Sequence, residues 1–467
     1  MALTTTQRDR ACGVLLGAAA GDALGAGYAP GAWTDGTAMA IAIAETAATG
    51  VDLRHEVQQD RIVQRWAWWA RNANDVDGQT AAVLSAARRG DNTARTARAA
   101  ATALHQRNDG NGSLKRTAPV ALAYLDDEQA LAEAARAISE LTHPETDAVD
   151  ACVLWCAAIR HAVLTGHLDA RIGLVHLGSE RSTLWAARLD AAEALPPAAF
   201  AADSGGAVAA VQAAWSAIVH TPVPIEDPAD EVFRADHLRL ALAAAVHTGD
   251  GTGAVAAIAG ALLGAAYGAS AVPSHWRLAL HGWPGLRARG LIHLSDNIVA
   301  DRTAKPTPYP YYAVEAAAAP CRHPHDERVW IGGVRALTVP RPYVPAEVDA
   351  IVSLYEVGDA ALPAGTDLLD VRLTDREGQN ANLGFVLLDT VRAIEQLRNA
   401  GRTVFVHGLQ AVNRTPTVAA LYGARRQGID IDQALSDVLA VLPDADPASE
   451  FRAALHRLQP NTIGGAQ

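Results

Sequence analysis

Alanine-rich segments with helical spacing fill the chain from its start to about residue 295, and they constrain its fold more than any other feature. Segments such as AMAIAIAETAATG (38–50) and DEQALAEAARAISELT (127–142) repeat apolar residues at intervals of three and four, as amphipathic helices do. The first of them ends on Gly50, a residue that commonly stops a helix. Alternating strand patterns are scarce here. The sequence therefore predicts an all-α domain over residues 1–295.

The composition changes in the next segment, residues 296–328. Its prolines and clustered tyrosines, as in KPTPYPYY (305–312), disfavour regular structure. We predict a linker over 296–328. His323 and His325 lie in this stretch, and a solvated linker explains them more simply than a metal site.

Short apolar runs with strand character follow, including VWIGGVRAL (329–337) and RTVFVHG (402–408). Amphipathic helical stretches, among them GFVLLDTVRAIEQLRNAG (384–401), alternate with them. Strands that alternate with helices predict an α/β domain with a mainly parallel sheet. We place this domain at residues 329–467. In such sheets, ligands bind at the loops beyond the carboxyl ends of the strands.

Charge and cysteine content exclude several classes of function. A net charge of −12 argues against a nucleic-acid-binding protein, because a phosphate backbone requires a basic surface. Asp22 and several glycines interrupt the first apolar run, so we predict no signal peptide and no membrane segment. Four cysteines in 467 residues do not form a disulfide framework. These features predict a cytoplasmic protein.

Three tryptophans, Trp66, Trp68 and Trp69, lie close together in RIVQRWAWWARN (61–72). They would form an aromatic binding surface if their rings faced solvent. Aromatic residues on an amphipathic helix more often belong to the core. We therefore predict that all three are buried.

The loop HGLQAVNRT (407–415) lies between a predicted buried strand and a helix that begins near Thr415. Backbone N–H groups at a helix start attract anions, and Arg414 can clamp phosphate oxygens with two hydrogen bonds. The loop thus predicts an anion site at the strand's carboxyl end. The bulky Gln410 and Val412 favour the alternative, a loop with a purely structural role.

The same loop resembles the H-C-x5-R-[S/T] signature of tyrosine and dual-specificity phosphatases, and this resemblance extends over about residues 329–460. His407, Arg414 and Thr415 match the signature, whereas Gly408 stands where the family has its cysteine nucleophile. Glycine has no side-chain atom that can attack phosphorus, so the resemblance implies a phosphatase-like domain without phosphatase chemistry. Asp370 and Asp375 lie where such families carry a general acid, and we interpret them as surface carboxylates.

Four motifs in the first domain occur in the order of another family. They are GVLLGAAAGDALGAGY (13–28), WTDGTAMAIAIAE (33–45), GNGSLKRTAPVAL (110–122) and GDGTGAVAAIAGALLGAAYG (249–268). Together they resemble the ADP-ribosylglycohydrolases, which remove ADP-ribose from protein side chains and small molecules. The resemblance implies an all-α fold and a central cleft that binds two Mg²⁺ ions.

The resemblance also implies two groups of magnesium ligands, Thr-Asp-Asp near the N-terminus and Asp-x-Asp-Thr at the start of a later helix. Here the first group reads Thr34-Asp35-Gly36, and the second reads Gly251-Thr252-Gly253-Ala254. Thr34, Asp35 and Asp250 remain as a residual metal set. Because Mg²⁺ needs several oxygen ligands, we expect its binding to be weak or absent.

Three residues of GNGSLKR are candidate ligand contacts: Asn111, Ser113 and Lys115. If Lys115 faces the cleft, its charge would substitute for a lost magnesium ion. The alternative, a lysine directed to solvent, is the commoner arrangement.

Three hypotheses follow for the function. The first is a two-domain pseudoenzyme that binds ADP-ribose-like or phosphorylated ligands or proteins. The second is an active hydrolase of ADP-ribosyl bonds that holds one Mg²⁺ ion with Thr34, Asp35 and Asp250. The third is a structural protein whose Trp-rich and Tyr-rich segments serve assembly.

Overall fold

The computed structural model describes residues 2–27, 30–73, 75–91, 93–104, 110–201, 205–247, 252–300, 317–338, 344–355 and 365–459. The chain forms two compact units. The first comprises residues 1–223, 237–272 and 279–301, and the second comprises 224–236, 273–278 and 302–467. The predicted helical region therefore contributes two short segments to the second unit, which the sequence did not reveal.

The first unit is helical, as its spacing predicts, and it also carries a two-stranded antiparallel hairpin. Two of the helices given next, α11 and α13, contain a point at which the chain passes from one unit to the other. The helices in chain order are α1 Thr5–Gly25, α2 Asp35–Ala47, α3 Glu56–Trp69, α4 Gly78–Arg89, α5 Ala94–Leu104, α6 Pro119–Ala123, α7 Glu128–Ser139, α8 Thr146–Thr165, α9 Ser179–Ala194, α10 Ala207–His220, α11 Asp236–Val246, α12 Thr252–Tyr267, α13 Ser274–Ala279 and α14 Ala288–Val299. The hairpin strands are β1 His281–Gly282 and β2 Leu286–Arg287.

Glycines allow α1 and α12 to pack with their backbones in contact. A Cβ atom added at Gly13 would collide with the Gly264 carbonyl oxygen, and one added at Gly17 would collide with that of Gly260. The carboxyl end of α1 thereby lies beside the start of α12, since a Cβ atom at Gly253 would lie 3.5 Å from the carbonyl carbon of Gly25. This contact places the end of the 13–28 motif beside the described start of α12.

Among the residues of the first unit that the structure describes, one helix is long and apolar enough to span a bilayer by length and composition. This helix is α8, whose mean hydropathy reaches 1.4. The fold buries 78% of its apolar window, so α8 serves as a core helix of the first unit. Cys152 and Cys156 on α8 and Cys12 on α1 are buried and form no disulfide.

The second unit contains a five-stranded mixed sheet in the order β3-β4-β7-β5-β6. β3 pairs with β4 antiparallel, and the other neighbours are parallel, so the predicted mainly parallel sheet is confirmed. The elements are β3 Cys321–His323, β4 Asp326–Gly333, α15 Arg335–Thr338, β5 Ala350–Ser353, β6 Asp367–Asp370, α16 Leu383–Asn399, β7 Val404–Gly408, α17 Arg414–Gln427, α18 Ile431–Val441 and α19 Ser449–Arg457.

The predicted linker needs correction at both ends. α14 continues to Val299, and β3 together with the start of β4 occupies residues 321–328. His323 is buried and hydrogen-bonded to the Ala419 carbonyl oxygen at 2.9 Å, so it belongs to the packed unit and not to a solvated arm. Pairing with β4 overrides the local composition here. Residues 301–316, which hold most of the prolines and tyrosines, lie outside the described residues.

The two short segments join the second unit through buried or half-buried polar contacts. Ser274 donates its backbone N–H to the Asp389 carboxylate on α16, with a distance of 2.9 Å to Oδ2. Glu231 accepts hydrogen bonds from Arg392 on α16 and Arg425 on α17. These contacts link residues 115 and more than 160 positions apart, which explains why local sequence patterns did not assign the segments.

Candidate functional site

Asp22 near the end of α1 fixes the start of α2. Its carboxylate accepts hydrogen bonds from the Thr34 hydroxyl at 2.5 Å and the Thr34 backbone N–H at 3.0 Å. It also accepts from the Thr37 backbone N–H at 3.1 Å and the Thr37 hydroxyl at 2.6 Å. Burial raises the pKa of Asp22 from its ordinary value, against the lowering effect of these hydrogen bonds. Asp22 and Thr34 are therefore hydrogen-bonded to each other, and Asp22 has a structural role.

Asp35, the first residue of α2, forms a buried ion pair with Lys115. The Lys115 ammonium lies 2.7 Å from each carboxylate oxygen, and the two side chains are only 13% and 5% exposed. Burial lowers the pKa of Lys115, but the carboxylates of Asp35, Asp77 and Asp22 outweigh that effect and raise it above its ordinary value. Lys115 thus stays charged and faces Asp35, in contrast to the solvent-directed alternative.

Gly36 provides the space that the Lys115 side chain occupies. A Cβ atom added at Gly36 would lie 3.2 Å from Cδ and 3.3 Å from Cγ of Lys115. Carbon–carbon contacts this short are among the tightest in proteins, so a Cβ atom at position 36 would require the lysine stem to shift by a few tenths of an ångström. The aliphatic part of Lys115 lies where the resemblance implies a second carboxylate, and its ammonium binds the first.

The donor set does not fit the divalent metal that the family resemblance implies. Both oxygens of Asp35 face an ammonium ion, and the Thr34 hydroxyl donates to Asp22. Within the described ranges, no group of three or more His, Cys, Asp and Glu side chains is placed to hold a metal ion. Asp250 and Gly251 lie outside the described residues, so the predicted contribution of Asp250 remains a prediction.

The turn that carries Lys115 is fixed by buried polar contacts. Ser113 is completely buried, and its hydroxyl accepts hydrogen bonds from Ser139 at 2.9 Å and from the Cys152 thiol at 3.5 Å. Asn111 accepts the Lys115 backbone N–H at its own carbonyl oxygen and donates its backbone N–H to Gly205. Ser113 was predicted to contact a ligand, but its burial leaves it no accessible surface, and it stabilises the lysine-bearing turn instead.

A cavity of about 460 Å³ opens beside Thr34. Four indole rings line it, and the polar side chains of Asn72 and Asp75 add to its wall. The Trp68 and Trp283 ring centroids lie 5.7 Å apart, and those of Trp69 and Trp283 lie 6.5 Å apart. The four tryptophans of this Trp cavity are Trp33, Trp68, Trp69 and Trp283.

The structure corrects the prediction for the tryptophans of α3. Trp66 and Trp69 are buried, but the side chain of Trp68 is 50% exposed. Trp68 is fixed from one side by Arg65, whose guanidinium lies 5.4 Å from the Trp68 ring and 5.0 Å from the Trp283 ring. Trp68 is therefore a wall of the cavity and not a core residue.

Asp75 is the acidic side chain of the Trp cavity. Burial raises its pKa, and the neighbouring Asp35 and Asp22 carboxylates add to the rise. A carboxylate in this setting attracts a cationic or hydrogen-bond-donating ligand group. Nothing in the local pattern NANDVDG (72–78) distinguishes Asp75 from an ordinary turn residue, so sequence reasoning missed it, as it missed Trp283.

In the second unit, His407, Gly408, Arg414 and Thr415 surround the turn between β7 and α17 as predicted from the motif. His407 is completely buried, and burial lowers its pKa to about 4, so the ring is neutral at pH 7. Its Nε2 atom lies 2.6 Å from the Ser353 hydroxyl. Thr415 donates to the Gly332 carbonyl oxygen at 3.3 Å. These side chains hold the turn in place.

The guanidinium of Arg414 is already engaged. It donates to the carbonyl oxygens of Leu354 at 2.9 Å and Leu373 at 2.8 Å, and it forms an ion pair with Asp375 at 2.6 Å. The interpretation as a surface carboxylate is wrong for Asp370, which is buried, whereas Asp375 lies at the surface and is bound to Arg414. The Asp375 carboxylate thus binds the Arg414 guanidinium, which was predicted to bind phosphate.

Comparisons with known proteins agree with the first-domain motifs. A family model described as ADP-ribosylglycohydrolase matches residues 3–307. The ADP-ribosylarginine hydrolase Tri1 of Pseudomonas putida (strain GB-1) is 26% identical over 290 residues, which cover 57% of this chain and 73% of that protein. A solved structure described as an ADP-ribosylglycohydrolase-related protein complex is 23% identical and covers 63% of this chain and 98% of its own, with a TM-score of 0.45.

Solved phosphatase structures match a part of the chain other than the ADP-ribosylglycohydrolase-like region. Human DUSP28 is 22% identical, covers 33% of this chain and 97% of its own, and has a TM-score of 0.27. The structure of Tk-PTP in the active form is 23% identical, covers 29% of this chain and 92% of its own, and has a TM-score of 0.23.

Proposed function

The chain belongs to the ADP-ribosylglycohydrolase family, and from that premise we propose that its first unit binds ADP-ribosyl ligands without hydrolysing them. The observation that carries this proposal is the buried pair between Lys115 and Asp35. A catalytic Mg²⁺ ion needs free carboxylate oxygens, and both oxygens of Asp35 are bound to an ammonium ion. The reaction that depends on a metal-activated water has no support at this position.

The Trp cavity supports the binding half of the proposal. Its volume of about 460 Å³ is ordinary for a small-molecule pocket. Indole faces provide stacking surfaces for a flat, polarisable group such as adenine. Stacking of a base on an aromatic side chain is worth about 1–3 kcal/mol, which corresponds to about 5- to 150-fold in affinity. The half-exposed Trp68 offers the most accessible of these surfaces.

A cationic group of the ligand would also be satisfied in the Trp cavity. Tri1 is named as a hydrolase of ADP-ribosylarginine, and a guanidinium group is attracted both to a carboxylate and to indole faces. Asp75 supplies the carboxylate beside the four rings. We therefore propose an ADP-ribosylated arginine, free or in a protein, as the ligand of the first unit.

For the second unit we propose a phosphatase-like domain that lacks phosphatase chemistry. A phosphorylated ligand that binds to this domain must displace Asp375 from Arg414. Gly408 leaves the loop without a nucleophile. Asp375 is 48% exposed while the Arg414 side chain is 5% exposed, so an external anion would reach the guanidinium only by taking the place of Asp375. The four cysteines form no disulfide, which supports the cytoplasm as the compartment.

Calorimetry on the full chain tests the proposal. We expect ADP-ribose or ADP-ribosyl-arginine to bind with the same affinity in EDTA and in Mg²⁺, and we expect no release of ADP-ribose from ADP-ribosyl-arginine. Trp68→Ala should weaken binding by about tenfold, given the value of one stacked base. Val57→Ala is the matched control, because Val57 lies exposed on the same helix and outside the cavity. Absence of binding in both media, or Mg²⁺-dependent turnover at an enzymatic rate, would refute the proposal.

A second candidate function is hydrolysis of ADP-ribosyl N- or O-glycosidic bonds, and Asp75 is the observation in its favour. A carboxyl with a raised pKa in a ligand cavity is suited to general acid or base catalysis. Turnover that is lost in Asp75→Asn, with ligand affinity retained, would establish it.

A further inference from the structure

We propose that Lys115 is a built-in cation that replaces the divalent metal of this family, and that Gly36 is the substitution that makes room for it. This inference rests on the same site as the proposed function and deepens it. It concerns the charge of the site and holds whichever ligand occupies the Trp cavity.

The Lys115 ammonium lies between the two carboxylate oxygens of Asp35. Its nitrogen lies 2.7 Å from Asp35 Oδ1 and 2.7 Å from Asp35 Oδ2, which is the geometry of a chelated cation and not of a passing surface contact. The pair is almost fully buried. Charges buried to this degree persist only when they are paired, so each member requires the other.

The second step is charge balance. The carboxylates of Asp35, Asp77 and Asp22 all act on Lys115. Asp77 lies at the start of α4, where Oδ1 accepts the Thr80 N–H at 2.8 Å while Oδ2 is buried without a hydrogen-bond partner. Lys115 pairs directly with Asp35, and Asp77 and Asp22 add favourable charge interactions, so the chain supplies its own counter-charge at this position.

The third step is steric. The Lys115 stem lies against the α-carbon side of Gly36, and a side chain at position 36 would meet that stem at the Cβ atom. A carboxylate at position 36 would therefore crowd the Lys115 stem, which would have to shift to admit it. The two residues are 79 positions apart in sequence, from 36 to 115, yet each is explained by the other.

The fourth step is the loss that accompanies the exchange. An ammonium ion supplies a positive charge and three hydrogen-bond donors, but it has no open coordination position for water. The site therefore loses the ability to generate a metal-bound nucleophile, because the ammonium neutralises Asp35 without holding a water.

Mn²⁺ binding, measured by electron paramagnetic resonance on the full chain without nucleotide, tests the inference. We expect the wild-type protein to leave Mn²⁺ free in solution. The variant Lys115→Met/Gly36→Asp removes the ammonium and restores a second carboxylate beside Asp35, so it should bind Mn²⁺ at least about tenfold more tightly than the wild type. The single variants Lys115→Met and Gly36→Asp are the matched controls, and each should gain less than the double variant.

Two results would overturn the inference. One is stoichiometric Mn²⁺ binding by the wild-type chain, which needs no variant and so decides the matter even if the double variant does not fold. The other is a double variant that is folded by circular dichroism but binds Mn²⁺ no better than Gly36→Asp alone. Because no nucleotide is present, a failure of ADP-ribosyl binding leaves these outcomes unchanged, and the two proposals fail separately.

Discussion

Removing the Lys115 ammonium should destabilise the first unit strongly. Lys115→Met keeps the length of the side chain but leaves the Asp35 carboxylate, which is 5% exposed, without its counter-ion. Breaking one side of a buried ion pair typically costs about 3–5 kcal/mol. That loss is a large fraction of the about 5–15 kcal/mol that stabilises a folded domain, so the variant should fold but unfold at clearly lower denaturant concentration.

A double-mutant cycle separates the charge effect from packing. Asp35→Asn alone also strands a buried charge and should cost a similar amount. Combining Lys115→Met with Asp35→Asn removes both charges, so the double variant should lose far less than the sum, with a coupling energy of about 3 kcal/mol. Urea unfolding followed by circular dichroism and by the fluorescence of the Trp cavity measures all four proteins.

A variant of an exposed ion pair serves as the control for this cycle, and the stabilisation by Lys115 should depend on pH. Arg171→Met breaks exposed pairs with Asp190 and Glu193 and should cost less than about 1 kcal/mol. The pKa of Lys115 is raised from 10.5 in the folded state. Its stabilising contribution is therefore complete below about pH 10 and lost as the pH rises through the folded value. A loss for Lys115→Met no larger than that for Arg171→Met would refute the buried-pair argument.

Three further outcomes are expected. Gly408→Cys should give at most weak hydrolysis of an aryl phosphate, because Arg414 is held by Asp375 and a Cβ atom at position 408 would lie 3.0 Å from the Thr415 hydroxyl; robust turnover would show that the site is otherwise intact. Gly264→Ala should lower the unfolding free energy by about 3 kcal/mol or more, because its Cβ atom collides with the Gly13 carbonyl, whereas Gly78→Ala, which meets open space, should be nearly neutral in thermal unfolding. The folded-state pKa of His407 is lowered to about 4, so the second unit should lose stability as the pH falls from about 6.5 towards 4, and His407→Gln should flatten this decline in urea titrations at each pH.

The fold followed from the sequence where local pattern and tertiary contacts agree. Helical spacing predicted the first unit, and alternating strands and helices predicted the mainly parallel sheet of the second. The exceptions have long-range causes. β3 forms because it pairs with β4, and residues 224–236 join the second unit through Glu231 and its arginine partners on α16 and α17. No local window contains those partners.

The candidate site was predicted in its residue identities but not in its contacts. The motifs placed Asp35 and Arg414 at two sites, yet the sequence could not show that each already has an internal partner of opposite charge. Trp68 was assigned to the core because its helix also carries Trp66 and Trp69. The direction of the Trp68 ring depends on its contacts with Arg65 and Trp283, and Trp283 is more than 200 positions away in sequence.

The two sites share one electrostatic principle. In the first, a lysine takes the place of a metal cation, and in the second, Asp375 takes the place of a phosphate anion on Arg414. An internal ion differs from a bound one because its local concentration is fixed by the fold and does not depend on supply. An external ion can still compete where the internal one is exposed, and the exposed fractions differ: 48% for Asp375 but 13% for Lys115. The arginine site should therefore exchange its anion under mass action, whereas the lysine site should not exchange its cation until position 115 is changed.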